Sequence, residues 1–236
     1  MDLRRPAGRH WKVAHRGASA LAPENSLAAL EAALAAPVDM IEIDVLVAGD
    51  GEARLAHSLS VVTAESPRLD EALDRFSEAA RPEVWLDLDV KSRGLEQILV
   101  DALRAHDLAA RTLVTSFRQR ILGEVGRLEP ALARGMAYPA DRLGLSARRP
   151  FRSLVDPGLA ALRVALPRRV SRMLAEAGAQ AAMLQHALVS PAVVERCHAA
   201  GAAVFAWTVE TAEDLDRVLA AGADGVIAND PNLFDE

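Results

Sequence analysis

The chain has 236 residues, a length that suits one α/β barrel, and 51% of them are apolar against 25% charged, as in a globular protein built on a core. A formal net charge of -6 and a pI near 5.6 argue against a general nucleic-acid binder. The single cysteine, Cys197, excludes an intramolecular disulfide framework and a zinc-finger arrangement. Aromatic residues make up only 4%, so the core has to be aliphatic. The charged stretch from Met1 to Pro6 is followed by no apolar leader, and no run reaches the ~18 apolar residues that cross a bilayer. The expectation is a cytoplasmic protein with no stable membrane insertion.

Short apolar runs alternate with helical patterns along the chain. Lys12 to His15 reads as a first strand, and Asn25 to Leu34 as a helix with Leu27, Leu30 and Leu34 on one face. Pro37 blocks its continuation. Met40 to Val47 is the second strand. An insertion follows, with a turn at Gly49-Asp50-Gly51, an extended piece from Ala53 to His57 and a helix from Leu69 to Phe76. Val84 to Lys91 is the third strand and Gly94 to His106 holds the next helix. Thr112 to Ser116 is the fourth strand, with Ile121 to Leu128 in its helix, and Arg134 to Tyr138 the fifth.

The stretch from Pro139 to Arg172 is rich in arginine (Arg142, Arg148, Arg149, Arg152, Arg163, Arg168, Arg169, Arg172) and broken by prolines. It reads as a loop and two helices, Pro157 to Ala165 and Pro167 to Ala177, with the arginines on a solvated outer face. Ala181 to Gln185 is the sixth strand. The helix from Pro191 to Ala200 has Ser190 as N-cap and Gly201 as stop. Ala203 to Trp207 is the seventh strand, Thr211 to Ala221 a helix with a Thr-x-x-Asp start, and Asp224 to Ala228 the eighth strand. Eight strands alternating with helices predict a (β/α)8 TIM barrel with a small insertion after the second strand, one domain over residues 1–236.

Two polar clusters interrupt this apolar pattern. His15-Arg16-Gly17 ends the first strand and is followed by Pro23-Glu24-Asn25-Ser26, while Glu42 and Asp44 share one face of the second strand. Adjacent carboxylates repel unless a cation lies between them. A metal site beside a phosphate-sized anion site accounts for both clusters together; taken singly, each would read as strand capping or a solvent-facing edge. Further polar residues fall where barrel chemistry sits, at the C-terminal ends of strands. They are Asp87, Asp89 and Lys91 on the third, Ser116 on the fourth, Gln185 on the sixth, Trp207 on the seventh and Asn229 after the eighth. Asp87 reads as one half of a structural ion pair. His10, His106 and His198 read as surface residues, His186 as a mouth residue without a catalytic part, and Cys197 as packing.

The motifs His15-Arg16-Gly17, Pro23-Glu24-Asn25-Ser26, Glu42-Ile43-Asp44 and His57 resemble the signature of glycerophosphodiester phosphodiesterases: HRG, PENT, ExD and HD. The resemblance continues through Leu88-Asp89-Val90-Lys91, Ser116-Phe117, Trp207-Thr208-Val209 and Asn229-Asp230-Pro231, from about residue 12 to the C-terminus. It implies a TIM barrel that hydrolyses glycerophosphodiesters to glycerol 3-phosphate and an alcohol. It implies one divalent cation, Mg²⁺ or Ca²⁺, on Glu42, Asp44 and Asp89, and His15 with His57 as the acid–base pair. Arg16 and Lys91 would then hold the phosphoryl group and Trp207 the alcohol; Glu24 and Asn25 would orient the first loop, with Glu24 also within reach of substrate.

The chain departs from the family pattern at three places. Ser58 stands where the family pairs its second histidine with Asp, which predicts a His57 without a carboxylate beside it. Asp89 replaces the usual Glu, as in the sphingomyelinase D-like phospholipases, which are secreted and disulfide-bonded as this chain is not. Asn229-Asp230 replaces Thr-Asp. The alternatives to the leading reading are a lysophospholipase D-like activity on lipid phosphodiesters and a catalytically weak barrel that binds phosphodiesters.

Overall fold

A computed structural model describes residues 2–5, 8–140 and 152–235. Eight parallel strands close on themselves: β1 (Trp11–Ala14), β2 (Met40–Val47), β4 (Trp85–Val90), β5 (Thr112–Ser116), β6 (Ala133–Tyr138), β7 (Ala181–Gln185), β8 (Ala203–Val209) and β9 (Gly225–Ala228). The ring runs in chain order and shuts where β1 pairs with both β2 and β9. The insertion is β3 (Ala53–Leu55), which folds back antiparallel on the far end of β2. Helices α1 (Leu27–Ala35), α2 (Leu69–Ala79), α3 (Glu96–Ala105), α4 (Gln119–Leu128), α5 (Arg152–Ala165), α6 (Val170–Ala177), α7 (Pro191–Ala199) and α8 (Ala212–Ala220) complete the order. The chain therefore has the predicted barrel and insertion.

Alternation along each strand makes two cores. Outward residues such as Ile41, Ile43, Leu86, Leu88, Val114 and Val204 pack under the helices. Inward residues fill the barrel: Trp11, Val13, Met40, Leu113, Ala181, Met183, Ala203, Phe205 and Ile227. That interior is apolar only in its lower part. Two steps further along β2 and β4 the inward positions become Glu42, Asp44, Asp87 and Asp89, all buried. The base of the barrel is closed by the N-terminal segment, where buried Leu3 packs against the inner cluster and its carbonyl accepts the Trp11 indole N–H at 2.9 Å. A single buried leucine among charged neighbours, tied down by the side chains of Trp11 and Asp224, is not visible in a charged N-terminal sequence.

Local signals explain most boundaries. Ser26, Ser190 and Thr211 each cap the helix that follows, through a bond to the backbone N–H three residues on. Helix α5 begins at Arg152, upstream of the predicted start at Pro157. A proline removes one ladder bond, and the turn before it still forms. The segment 141–151, with Arg142, Arg148 and Arg149, lies outside the described residues. Arg163, Arg168, Arg169 and Arg172 are exposed, as the sequence reading expected. His106 and His198 are half-buried instead of free on the surface: they bond to Asp74 at 3.0 Å and to buried Asp224 at 2.7 Å. His10 is likewise half-buried, near Phe234.

The first loop is pinned at Gly17, whose φ of +76° suits glycine and whose would-be Cβ would lie 2.5 Å from the Ala29 carbonyl carbon on α1. Gly17→Ala is expected to cost about 2–3 kcal/mol, from backbone strain and overpacking together. Urea unfolding of the two proteins measures this, and a loss below about 0.5 kcal/mol would mean that the loop relaxes freely.

Candidate active site

Parity in the sheet builds the site. In a parallel barrel the register pairs Glu42 with Asp87 and Asp44 with Asp89, so four carboxylates form two rungs on the inner wall. Lys91 is one step above Asp89, and its backbone N–H continues the ladder to Val45. His15 and Arg16 leave the end of β1, and His57 arrives from the insertion just past β3. His15, Arg16, Glu42, His57, Asp87, Asp89 and Lys91 line a cavity in the barrel mouth together with Thr115, Phe117, Ala137, Met183, Trp207, Thr208 and Ile227, while Asp44 is buried and outside that lining.

The cavity has two unlike halves. On the side of β1, β2 and β4 it is polar and charged. On the side of β6 to β9, with Phe117 after β5, it is mainly apolar. Trp207 and Phe117 meet edge to face with ring centres 5.7 Å apart, and the Trp207 N–H is already given to the Met183 carbonyl at 3.0 Å. The indole therefore offers the cavity carbon surface rather than a free donor. An irregularity in the pairing of β8 with β9 lies between Ala206 and Val209, and the neighbours Trp207 and Thr208 both face the cavity there.

Arg16 adopts φ +53°, an uncommon conformation for a side chain this large. In return its N–H points at Glu42 Oε2, 2.8 Å away. Strain of this kind collects at functional sites. The guanidinium reaches Glu24 at 2.6 Å and His57 Nδ1 at 3.1 Å, and its Nε lies 3.1 Å from Asp44 Oδ2. Asn25, also with positive φ and buried, clasps Asp44 from the same loop: its amide donates to Oδ2 and its carbonyl accepts the Asp44 N–H, both at 2.9 Å. Lys91 bridges Asp44, 2.6 Å from Oδ1, and Asp89.

The electrostatics follow from this crowding. Burial alone would raise the Asp44 pKa, but Lys91, the His57 hydrogen bond and Arg16 outweigh it and hold the carboxyl below its ordinary range. Glu42 goes the other way, well up, through burial and the neighbouring charge of Asp44. Asp89 is raised by burial despite Lys91. Burial opposes the Lys91 charge, yet Asp89 and Asp44 raise its pKa. His15 is pushed down to about 4 by burial and by Arg16, which leaves it a neutral imidazole near pH 7.

One oxygen from each of Glu42, Asp44 and Asp89 can be chosen so that all lie within 4.8 Å of one another. Asp89 Oδ1 is buried without a hydrogen-bond partner, and Asp44 Oδ1 has the Lys91 ammonium 2.6 Å away. A buried polar atom without a partner is costly. Three clustered hard carboxylates, with an orphaned oxygen on Asp89, fit a divalent cation such as Mg²⁺ or Ca²⁺ and suit a thiophilic metal poorly.

The geometry corrects several sequence expectations. Ser58 does not leave His57 without a carboxylate: Asp44 Oδ2 is 3.2 Å from its Nδ1, reaching across from β2. Among the described residues Asp87 is in no ion pair. It takes the Thr115 hydroxyl at 2.8 Å on one oxygen, while its other is buried without a partner. Ser116 faces away from the cavity and bonds the Val90 carbonyl, and it is its neighbours Thr115 and Phe117 that enter. Counting parity from buried Leu113 would have found both. Gln185 caps the turn after β7 through the Ala187 N–H, and His186 pairs with Asp214 and Arg217 outside the cavity. Cys197 is fully buried packing, its thiol pushed up to about 12 by burial.

The sequence profile of the glycerophosphoryl diester phosphodiesterase family matches residues 15–99 and 89–233. The chain belongs to that family. It is 26% identical to a glycerophosphodiester phosphodiesterase of Caldanaerobacter subterraneus subsp. tengcongensis, over 94% of this chain and 95% of the relative. A glycerophosphodiester phosphodiesterase of Bacillus subtilis is 22% identical over 94% and 84%. Among solved structures, a glycerophosphoryl diester phosphodiesterase assignment from Silicibacter pomeroyi superposes with TM-score 0.77 at 23% identity, covering 99% of this chain and 96% of that one. A phosphodiesterase from Oleispira antarctica, held in complex with the product sn-glycerol-3-phosphate, superposes with TM-score 0.72 at 24% identity over 95% and 96%.

Asp87 supplies a prediction about stability. Burial and the charge of Asp89 raise its pKa well above the ordinary value of 3.8, so folding makes it take up a proton that the unfolded chain has released. That cost grows as pH rises above the unfolded value. Asp87→Asn removes it. With chelator present, the variant should melt above the parent at about pH 8, with the margin shrinking toward about pH 5. A margin that does not change with pH would mean that Asp87 folds ionised.

Proposed function

We propose that the chain is a metal-dependent hydrolase of glycerophosphodiesters, releasing glycerol 3-phosphate and an alcohol. The observation that carries this reading is the convergence of Glu42, Asp89, His15, Arg16, His57 and Lys91 on one cavity in the mouth of this family's barrel, with buried Asp44 completing a carboxylate cluster with Glu42 and Asp89. The product found in the Oleispira antarctica relative supports the choice of glycerol phosphate.

Each residue has a part that its chemistry suits. Glu42, Asp44 and Asp89 hold the cation, which when bound would polarise the phosphoryl group and spread its developing charge. Arg16 and Lys91 grip phosphoryl oxygens with charge-assisted hydrogen bonds. To do so each has to exchange part of its carboxylate pairing for phosphate. Glu24 keeps Arg16 over the cavity. His15, buried and neutral, accepts a proton from the attacking oxygen, whether water or the glycerol 2-hydroxyl. His57, half-exposed at the rim and paired with Asp44, gives a proton to the leaving alcohol, which rests against Trp207 and Phe117.

A second reading is a longer lipid phosphodiester. Leu59 and Val61, just beyond His57 in the insertion, are 63% and 55% exposed, an apolar rim where an acyl chain would leave the cavity. Comparing kcat/KM on glycerophosphocholine and lysophosphatidylcholine separates the two, and no turnover on either with added Mg²⁺ or Ca²⁺ would leave only a binding barrel.

The roles give distinct outcomes. The double variant Glu42→Gln with Asp44→Asn is expected to lose the metal response; full activity of this variant in chelator would sink the cation site. His15→Ala and His57→Ala should each lower kcat by about 10²-fold or more. Arg16→Ala should raise KM and lower kcat together, because a guanidinium on phosphoryl oxygen contacts ground and transition states alike. Unchanged kinetics for Arg16→Ala would make its role structural.

A further inference from the structure

His15 Nδ1 lies 2.6 Å from the side-chain oxygen of Asn229, the residue that follows β9. The other ring nitrogen, Nε2, looks toward the carboxylates and is 3.9 Å from Glu42 Oε2. Which nitrogen carries the proton of a neutral imidazole is set by the partner at the other one. The question is therefore which end of the Asn229 amide faces His15.

Two side-chain contacts answer it. The Asn229 amide nitrogen is 3.2 Å from Glu210 Oε1. A carboxylate has only acceptor positions, so it can face the NH₂ end of the amide and not the carbonyl end. Turning the amide over would set two oxygens against each other at Glu210. The Ser19 hydroxyl, 3.0 Å from Asn229 Oδ1, donates to the same carbonyl that faces His15. The backbone leaves little play: the His15 N–H bonds the Ala228 carbonyl and the Ala20 N–H bonds the Asn229 carbonyl, at 2.9 and 3.1 Å. An acceptor fixed in front of Nδ1 requires Nδ1 to be the N–H.

We propose that Asn229, oriented by Glu210, is a positioning residue that keeps His15 protonated at Nδ1 and leaves Nε2 as the nitrogen that exchanges a proton with substrate. This rests on the acid–base reading of His15 given above. Its consequence is a polarity rule for the chain Glu210, Asn229, His15: the middle residue has to accept from His15 and donate to the residue at position 210. Asn does both. The substitution Asn229→Asp keeps the acceptor toward His15 but sets a carboxylate against Glu210. Adding Glu210→Gln then restores the pairing, because the new amide NH₂ can donate to the introduced carboxylate.

The test pairs a spectrum with kinetics. Proton–nitrogen correlation on protein labelled with ¹⁵N-histidine reports the tautomer directly, with His15 assigned by the signal lost in His15→Ala. The parent should show a pyrrole-like Nδ1 and a pyridine-like Nε2. Asn229→Ala should mix or reverse them and lower kcat about 10- to 100-fold with KM held within about threefold, the size expected of a partner that orients a working group. Asn229→Asp should be impaired, and Asn229→Asp with Glu210→Gln should recover most of the parental kcat. A packing role would give no such reversal. An Asn229→Ala protein that keeps the parental tautomer and kcat overturns the proposal, as does a double variant no better than Asn229→Asp. Should His15→Ala itself retain activity, the acid–base reading fails, and the spectrum still decides what Asn229 does to the ring.

Discussion

The mouth of this barrel depends on one buried carboxylate. Asp44 is 1% exposed, yet it touches Asn25 and Arg16 from the first loop, His57 from the insertion and Lys91 from the end of β4. No apolar residue at this position could hold those three segments in register, because each arrives with a donor that needs an acceptor. Removing one side of such a buried charged network costs several kcal/mol, since the partners left behind remain buried and unpaired. The positive φ values at Arg16 and Asn25 are the local expense of the same arrangement. They bend the loop so that the Arg16 amide meets Glu42 while the Asn25 side chain meets Asp44.

That hub works because the lower barrel carries none of the burden. Trp11, Met40, Leu113, Met183 and Phe205 form an interior of ordinary packing, and Leu3 closes it from below. Polarity begins at the rung of Glu42 and Asp87, one inward step above Met40, and continues upward through Asp44 and Asp89. Stability and chemistry are thus stacked along the axis, with Met183 and Ile227 at the boundary, in the inner core and in the cavity wall at once. The upper layer is divided again. Carboxylates and cations stand over β1 to β4, and carbon surface stands over β6 to β9. A ligand that is charged at one end and apolar or neutral at the other matches this division.

Much of this was legible in the sequence because period-2 alternation is a strong signal wherever one face must be polar among apolar neighbours. Glu42 and Asp44 between Met40, Ile41, Ile43 and Val45 could only share a face. Strand bounds for β2, β5 and β7 came out as read for the same reason. What escaped is parity left uncounted at one strand end and contacts that neighbours in sequence do not carry. Ser116 attracted attention as a polar strand end, while the residues that enter the cavity were Thr115 and Phe117 on the opposite parity. The carboxylate beside His57 comes from a residue 13 positions away, so inspection of Ser58 alone could not find it. The Asn229 contact with His15 spans 214 positions and exists only because the barrel closes β9 onto β1. Long-range closure is the information a local reading lacks.

Charge balance in the cavity ties the ligand to the cation. Four carboxylates, Glu42, Asp44, Asp87 and Asp89, face two fixed cations, Arg16 and Lys91. Only Asp44 has its pKa lowered; Glu42, Asp87 and Asp89 are all raised, first by burial and then by the neighbouring carboxylates. An anionic phosphodiester entering this wall would add negative charge and would have to draw Arg16 and Lys91 away from the carboxylates they now neutralise. A divalent cation held by Glu42, Asp44 and Asp89 would reverse both problems, since it would supply counter-charge in place of Lys91 and attract the phosphate. On the proposed reading, cation and phosphodiester therefore do not bind independently: each relieves the electrostatic cost of the other, and Lys91 is the group handed from carboxylate to phosphate between the two states.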